Sequence, residues 1–153
     1  MQRHSLILAL MVGSVMPLAA GTCPVTKAPE PPFVPPAPYA QARGRSFDLG
    51  TAKLWVTVYS DPWRNLPLWP EGYRQKIVWW SEGYNARADP KPAISISGRR
   101  LDGSAPPMVV TGANGSWTNV DFIMSGVNFP TKGCWEIKGA FKGAEVTFIV
   151  SVE

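Results

Sequence analysis

The residue types in this chain that can do chemistry are two cysteines, one histidine, eleven side-chain carboxylates and seven tryptophans. The histidine, His4, lies in an amino-terminal stretch that reads as a secretory signal. Arg3 and His4 give a positive start, Leu6 to Val15 an apolar core, and Leu18-Ala19-Ala20-Gly21 a small-residue exit. Cleavage is expected near Ala20 or Gly21, with an uncleaved amino-terminal anchor as the alternative. The signal removes the only histidine. A mature chain without one cannot run a Ser-His or Cys-His nucleophilic site or a His-ligated metal centre.

Two cysteines in an exported chain read first as one disulfide, Cys23 to Cys134. The bridge would close a loop of about 110 residues, for which chain entropy gives roughly 4–5 kcal/mol at best. Cys134 alternates with Trp135 and so shares the face of Glu136 and Lys138, away from the core. A bond there would pin the amino-terminal tail to the outside of the domain. Two alternatives stay open: lipidation of Cys23, for which Ala20-Gly21-Thr22 is a poor lead-in, and free thiols.

The carboxylates offer less. Asp61, Glu71, Glu82, Asp89 and Asp102 all fall in turns or loops, where solvated acids are the norm. A histidine-independent hydrolase would need a pair such as Asp61 and Glu71 held roughly 5–10 Å apart across a cleft. No metalloprotease, P-loop, dinucleotide or calcium-loop spacing appears, and no cofactor or metal is expected. Asn114-Gly115-Ser116 matches a glycosylation acceptor, though a turn is the simpler reading. Loss of Arg3 with the signal takes the formal charge from +4 to +3. The bases are scattered and only Arg99 and Arg100 are adjacent, so no stripe exists for a nucleic-acid backbone to follow.

Aromatic residues are the most distinctive resource. Trp63 and Trp69 sit in a proline-stiffened loop, SDPWRNLPLWPEGY, and are candidate platforms for a sugar ring or a protein partner; otherwise they fold back as a satellite cluster. Adjacent Trp79 and Trp80 must point to opposite faces of a strand, so one of them lies outside the main core. The candidate binding residues are therefore Trp63, Trp69 and Trp80. Arg99 and Arg100 join them as a possible carboxylate clamp, the plainer reading being a solvated strand end near Asp102.

These residues need elements to hold them. Residues 145–152 alternate, with Val146, Phe148, Val150 and Val152 against Glu145, Thr147 and Ser151. Residues 135–141 do the same, and Lys142-Gly143 supplies a hairpin turn. Further strands are expected over 53–59, 73–81, 93–101, 108–111 and 117–124, the last with Val120, Phe122 and Met124 on one face. Asn114-Gly115 should form a type I′ hairpin turn and Asp102-Gly103 another turn. Pro62, Pro67 and Pro70 should forbid regular structure in the loop. The chain divides into a signal (1–21), a proline-rich arm (22–45) and one domain (46–153). The arm is either a semi-rigid spacer or a tail packed along the domain with Phe33 and Tyr39 as anchors. Roughly seven short strands with turn chemistry between them fit an antiparallel β-sandwich of immunoglobulin or fibronectin type. No apolar run after the signal is long enough to span a membrane.

Several stretches together carry a resemblance: CPVT from Cys23, PPFVPP, LW, WW, GRRLDGSAPP and FPTKGCWEIKG. They resemble a family of uncharacterised exported proteins of soil-type bacteria such as acidobacteria, over most of the mature chain. The PWRNLPLWP loop is more elaborate than that pattern. The resemblance implies a periplasmic, cell-surface or secreted location and supports pairing Cys23 with Cys134, and it carries over no catalytic residue. The function expected is a non-catalytic binding or accessory module of the envelope, engaging a protein or glycan through loop aromatics. The alternatives are a structural envelope protein without ligand and the carboxylate hydrolase.

Overall fold

The computed structural model describes residues 22–153; the signal expected over 1–21 lies outside the described residues. Nine strands follow in chain order: β1 (Ser46–Thr51), β2 (Leu54–Tyr59), β3 (Leu68–Trp69), β4 (Gly72–Trp80), β5 (Ser95–Arg100), β6 (Val109–Trp117), β7 (Asp121–Phe129), β8 (Gly133–Phe141) and β9 (Ala144–Val152). They form two antiparallel sheets. Sheet A runs β1-β2-β4-β7-β6 with β3 beside β4, and sheet B runs β5-β8-β9. The sheets pack face to face as an all-β sandwich, as the alternation predicts. Among the described residues no helix is long and apolar enough to cross a membrane.

The core is built by the inward residues of both sheets. Leu54, Val56, Val58, Ile77, Trp79, Ile123, Val127 and Phe129 come from sheet A, and Trp135, Ile137, Phe148 and Val150 from sheet B. The β8–β9 hairpin forms in the expected register, Phe141 opposite Ala144. Its turn residues Lys142 and Gly143 both have positive φ, 47° and 80°, the conformation a two-residue hairpin loop of matching twist requires.

Four local expectations are corrected. Asn114-Gly115 lies inside β6, with Gly115 opposite Ile123, and the hairpin turns instead at 118–120. Gly115 is needed there for close approach: its N–H donates to the Pro90 carbonyl at 2.9 Å, and a Cβ would overlap the Tyr84 hydroxyl. In β7 the core face is Ile123, Ser125, Val127 and Phe129, so Phe122 and Met124 point outward. The loop prolines tolerate one short strand, since Leu68-Trp69 pairs with Gly72-Tyr73 between Pro67 and Pro70. Lastly, β1 is an addition to the expected strands: its alternation is carried by only two apolar residues, Phe47 and Leu49, too short a signal to set it apart from the arm.

Sheet A is apolar on its outer face as well, where Trp55, Trp80 and Phe122 gather. Residues 23–42 lie along the sandwich and cover that end. The disulfide joins Cys23 to Cys134 with a Cα separation of 5.4 Å, and Cys134 is outward-facing yet buried beneath it. Both sulfurs are used, so the lipidated and free-thiol alternatives are not the state seen here. Thr26 then bonds both backbone groups of Ile149 on the edge of β9, donating its N–H at 3.0 Å and accepting on Oγ1 at 2.7 Å. Phe33 and Tyr39 place their rings 5.8 and 4.9 Å from Trp55, and the Tyr39 hydroxyl donates to the Ser81 carbonyl at 3.1 Å. Burial, with Asp121 and Glu82 nearby, pushes that hydroxyl above the usual tyrosine range, which keeps it a donor.

Close packing across the core generates a prediction. Gly139 of β8 lies directly against the Trp79 indole of β4, and a methyl group there would overlap the ring. Gly139→Ala should destabilise the fold by about 1–3 kcal/mol through overpacking, read as a lower urea midpoint at unchanged m-value. An unaltered midpoint would mean that Trp79 is not seated on Gly139.

Candidate functional site

The outer face of sheet A has two ends with different fates. At one, the arm covers Trp55 and Trp80. At the other, Trp69 of β3, Arg74 and Lys76 of β4, Asn128 of β7 and Val109 of β6 form a face that no described residue of the arm bonds to or stacks on. The register sets this row: Trp69 sits opposite Gly72, Arg74 opposite Asn128, and Asn128 opposite Val109. Since side chains two apart on a strand share a face, Gly72, Arg74 and Lys76 lie on the same side as Trp80.

The chemistry centres on Arg74. Its guanidinium lies over the Trp69 ring with Cζ 4.0 Å from the centroid, and its Nε donates to Asn128 Oδ1 at 3.0 Å. The backbone is fixed too, the Arg74 N–H donating to the Pro67 carbonyl at 2.8 Å. Asn128 is fully buried (0% exposed), and its Nδ2 has no partner. Trp69 is 47% exposed. Five ion pairs form among the described residues and none includes Arg74 or Lys76. The site is therefore an exposed indole and an oriented guanidinium without a counter-charge.

The structure separates the other candidates. Trp63 is not a platform: it is 6% exposed, packs edge-on to Phe129 at 5.8 Å and bridges β9 through backbone bonds to Ser151 and Glu153. It folds back where the β9 edge needs covering. Trp80 is half-buried beneath Tyr39 and Phe122, its Nε1 donating to Thr57 Oγ1 at 3.0 Å, so it belongs to the seat of the arm and is not offered to a partner. Arg99 and Arg100 do not act together. Arg99 crosses to Glu136 at 2.7 Å on the outer face of sheet B, beside a depression of about 270 Å³ lined also by Ser97, Gly98 and Lys138. Arg100 points the other way, to Asp102 at 2.7 Å and Thr131 at 3.2 Å.

The loop carboxylates are dispersed. Asp61 is held by Arg45 at 3.0 Å, Asp102 by Arg100, and Glu71 lies in the β3–β4 turn. Among the described residues no hydrogen bond joins two carboxyl groups, and no cluster of three His, Cys, Asp or Glu can hold a metal ion. Arg74, Lys76 and Asn128 are missed by sequence reasoning. Part of the signal is present: Arg74 and Lys76 alternate on one face of the expected strand 73–81, while the pairing that brings Trp69 beside them shows only in the structure.

Compared with protein-family models, with curated proteins and with solved structures, the chain matches none. The functional reading rests on its own residues.

The Arg100–Asp102 pair generates a pH prediction. The Arg100 guanidinium holds the Asp102 carboxyl below the usual carboxylate range, aided by the Cys134 backbone. A depressed pKa means stabilisation that is present above the unfolded value, near 4, and is lost as pH falls through the lower folded value. The two side chains are 24% and 34% exposed. Solvent therefore screens their contribution to about 0.5 kcal/mol. Asp102→Asn should unfold at lower urea than wild type at pH 7, and the two should converge as the pH falls below the carboxylate range. A gap that persists at low pH would show that the charge is not the source.

Proposed function

We propose that this chain is an exported, non-catalytic binding or accessory module of the bacterial periplasm or cell envelope, engaging a protein or glycan through the Trp69 end of sheet A. One observation carries the reading. The arm covers the aromatic half of this outer face and stops short of the half where Trp69 stays exposed over a fixed guanidinium. A large indole held rigidly at the surface offers contact area at little entropic cost, the usual anchor of a binding surface. The disulfide supports export, because such bonds persist in oxidising compartments, and so does the amino-terminal pattern.

Burial of Trp63 favours a second reading, a structural envelope protein without ligand. Trp69 separates the two. The Trp69→Ala protein should keep its melting temperature within about 2 °C, since the residue is half-exposed. In co-sedimentation with isolated envelope fractions it should bind at least about tenfold more weakly than wild type. Trp117→Ala, which removes another exposed indole at the far end of β6, is the control and should bind as wild type. Equal binding by the Trp69→Ala protein would leave the structural reading standing.

Export is checked by intact mass. The protein recovered from cells should match cleavage near Ala20 or Gly21 and be two hydrogens lighter before reduction than after. A mass raised by a diacylglycerol would instead make Cys23 a membrane anchor.

A further inference from the structure

We infer that the ligand of the Trp69 end is an acidic glycan, a chain of uronate-type sugars whose carboxylates are taken by Arg74 and Lys76; this rests on the binding reading above and names its ligand class. The guanidinium of Arg74 is constrained from two sides, by the indole face at 4.0 Å and by the Nε–Asn128 bond at 3.0 Å. Its Nη groups make no hydrogen bond within the described residues. That is the geometry a bidentate carboxylate contact requires, with the orientation already set before the ligand arrives.

Holding it there has a cost. Asn128 turns its oxygen toward Arg74 and leaves Nδ2 buried without a partner. A buried donor left unmade is unfavourable, and a flexible surface arginine needs no such support. Lys76 repeats the positive charge two residues along the same face, about 7 Å away by strand geometry. Neither base joins an ion pair among the described residues. Glu71, in the adjacent turn, is not paired with Arg74. The face thus presents two cations without a counter-charge, and an anionic chain supplies one.

A glycan fits better than an acidic peptide. Peptides add most readily to a free strand edge, where the backbone bonds. Here the outer strand on the Trp69 side, β3, is two residues long and flanked by Pro67 and Pro70, which lack N–H donors, and the opposite edge strand, β6, is interrupted next to Val109 by a register shift between Val110 and Ala113. What remains is an open face with an exposed aromatic ring, to which a pyranose can be applied.

The test is calorimetric titration of the signal-cleaved, disulfide-intact protein with three probes: an oligogalacturonate, the same oligomer fully methyl-esterified, and poly-glutamate. The oligogalacturonate should bind, more weakly as salt rises, with the ester at least about tenfold weaker. Arg74→Gln should lose about tenfold or more, Arg74→Lys should recover part of it, and Trp117→Ala should match wild type. Melting temperatures of the variants guard against misfolding, and Arg74→Lys keeps the proposal falsifiable if Arg74→Gln does not fold. If the ester binds as well as the acid and Trp69→Ala abolishes both, the binding reading stands and the acidic ligand is overturned. Tighter, Arg74-dependent binding of poly-glutamate would overturn the glycan in favour of an acidic peptide. No heat from the oligogalacturonate at millimolar carboxylate would overturn the inference outright.

Discussion

A sheet that is apolar on both faces must be covered on both, and that constraint organises this molecule. Sheet B can cover only the inner face of sheet A. The outer face carries Trp55, Trp80 and Phe122, with Trp55 and Trp80 near-parallel at 13° and 6.3 Å between centroids. Each such ring buries on the order of 150–250 Å² when enclosed. The arm supplies the enclosure with Phe33 and Tyr39. A proline-rich segment suits this role because it is extended and stiff beforehand. Laying it down forfeits less chain entropy than ordering a flexible segment would.

Polar bonds then fix where the arm lies. The Ala42 N–H and the Thr57 hydroxyl both donate to buried Asp48, each at 2.7 Å, and the Trp80 indole donates in turn to Thr57 at 3.0 Å. One carboxylate thereby ties the arm to β1, β2 and β4, hydrogen-bonded on both oxygens as a buried charge must be. At the other end the disulfide and the two Thr26–Ile149 bonds lace the arm to sheet B. The arm also shields the β9 edge at Ile149, as Trp63 shields it at Ser151 and Glu153. An edge strand left bare would be a template for pairing with another chain. The same segments therefore cover a face, protect an edge and clamp the two layers.

What the sequence discloses follows from this double covering. The β8–β9 hairpin is legible because its outer face is polar and its alternation clean. The opposite orientations of Trp79 and Trp80 follow from strand parity alone, and their fates match: one packs on Phe148 in the core, the other beneath Tyr39. The face of β7 is misread for the converse reason. Outward Phe122 and Met124 look like core, while inward Ser125 looks like surface until the Trp79 indole is seen donating to it at 2.9 Å. A strand buried on both sides loses its period-2 signature. Asn114-Gly115 misleads similarly, since a glycine needed for contact with Tyr84 is indistinguishable in sequence from one needed for a turn. Trp69 is legible as a candidate by type. Trp63 cannot be told from it, because only the course of the loop decides which indole meets Phe129.

The candidate site is where the covering stops. Along the outer face of sheet A the residues change from Trp80 and Val78 to Lys76 and Arg74, and across from them Phe122 and Met124 give way to Gly126 and Asn128. The aromatic half demands a lid and has one. The basic half has no need of one, since Lys76 is solvated and Arg74 is held by an indole and an amide. The outer face of sheet B neutralises its bases, pairing Arg99 with Glu136 and Lys138 with Glu145, both at 2.7 Å. The two outer faces of one sandwich thus treat charge in opposite ways. Sheet B pairs its charges within the face, and sheet A leaves Arg74 and Lys76 outside any ion pair beside an exposed ring.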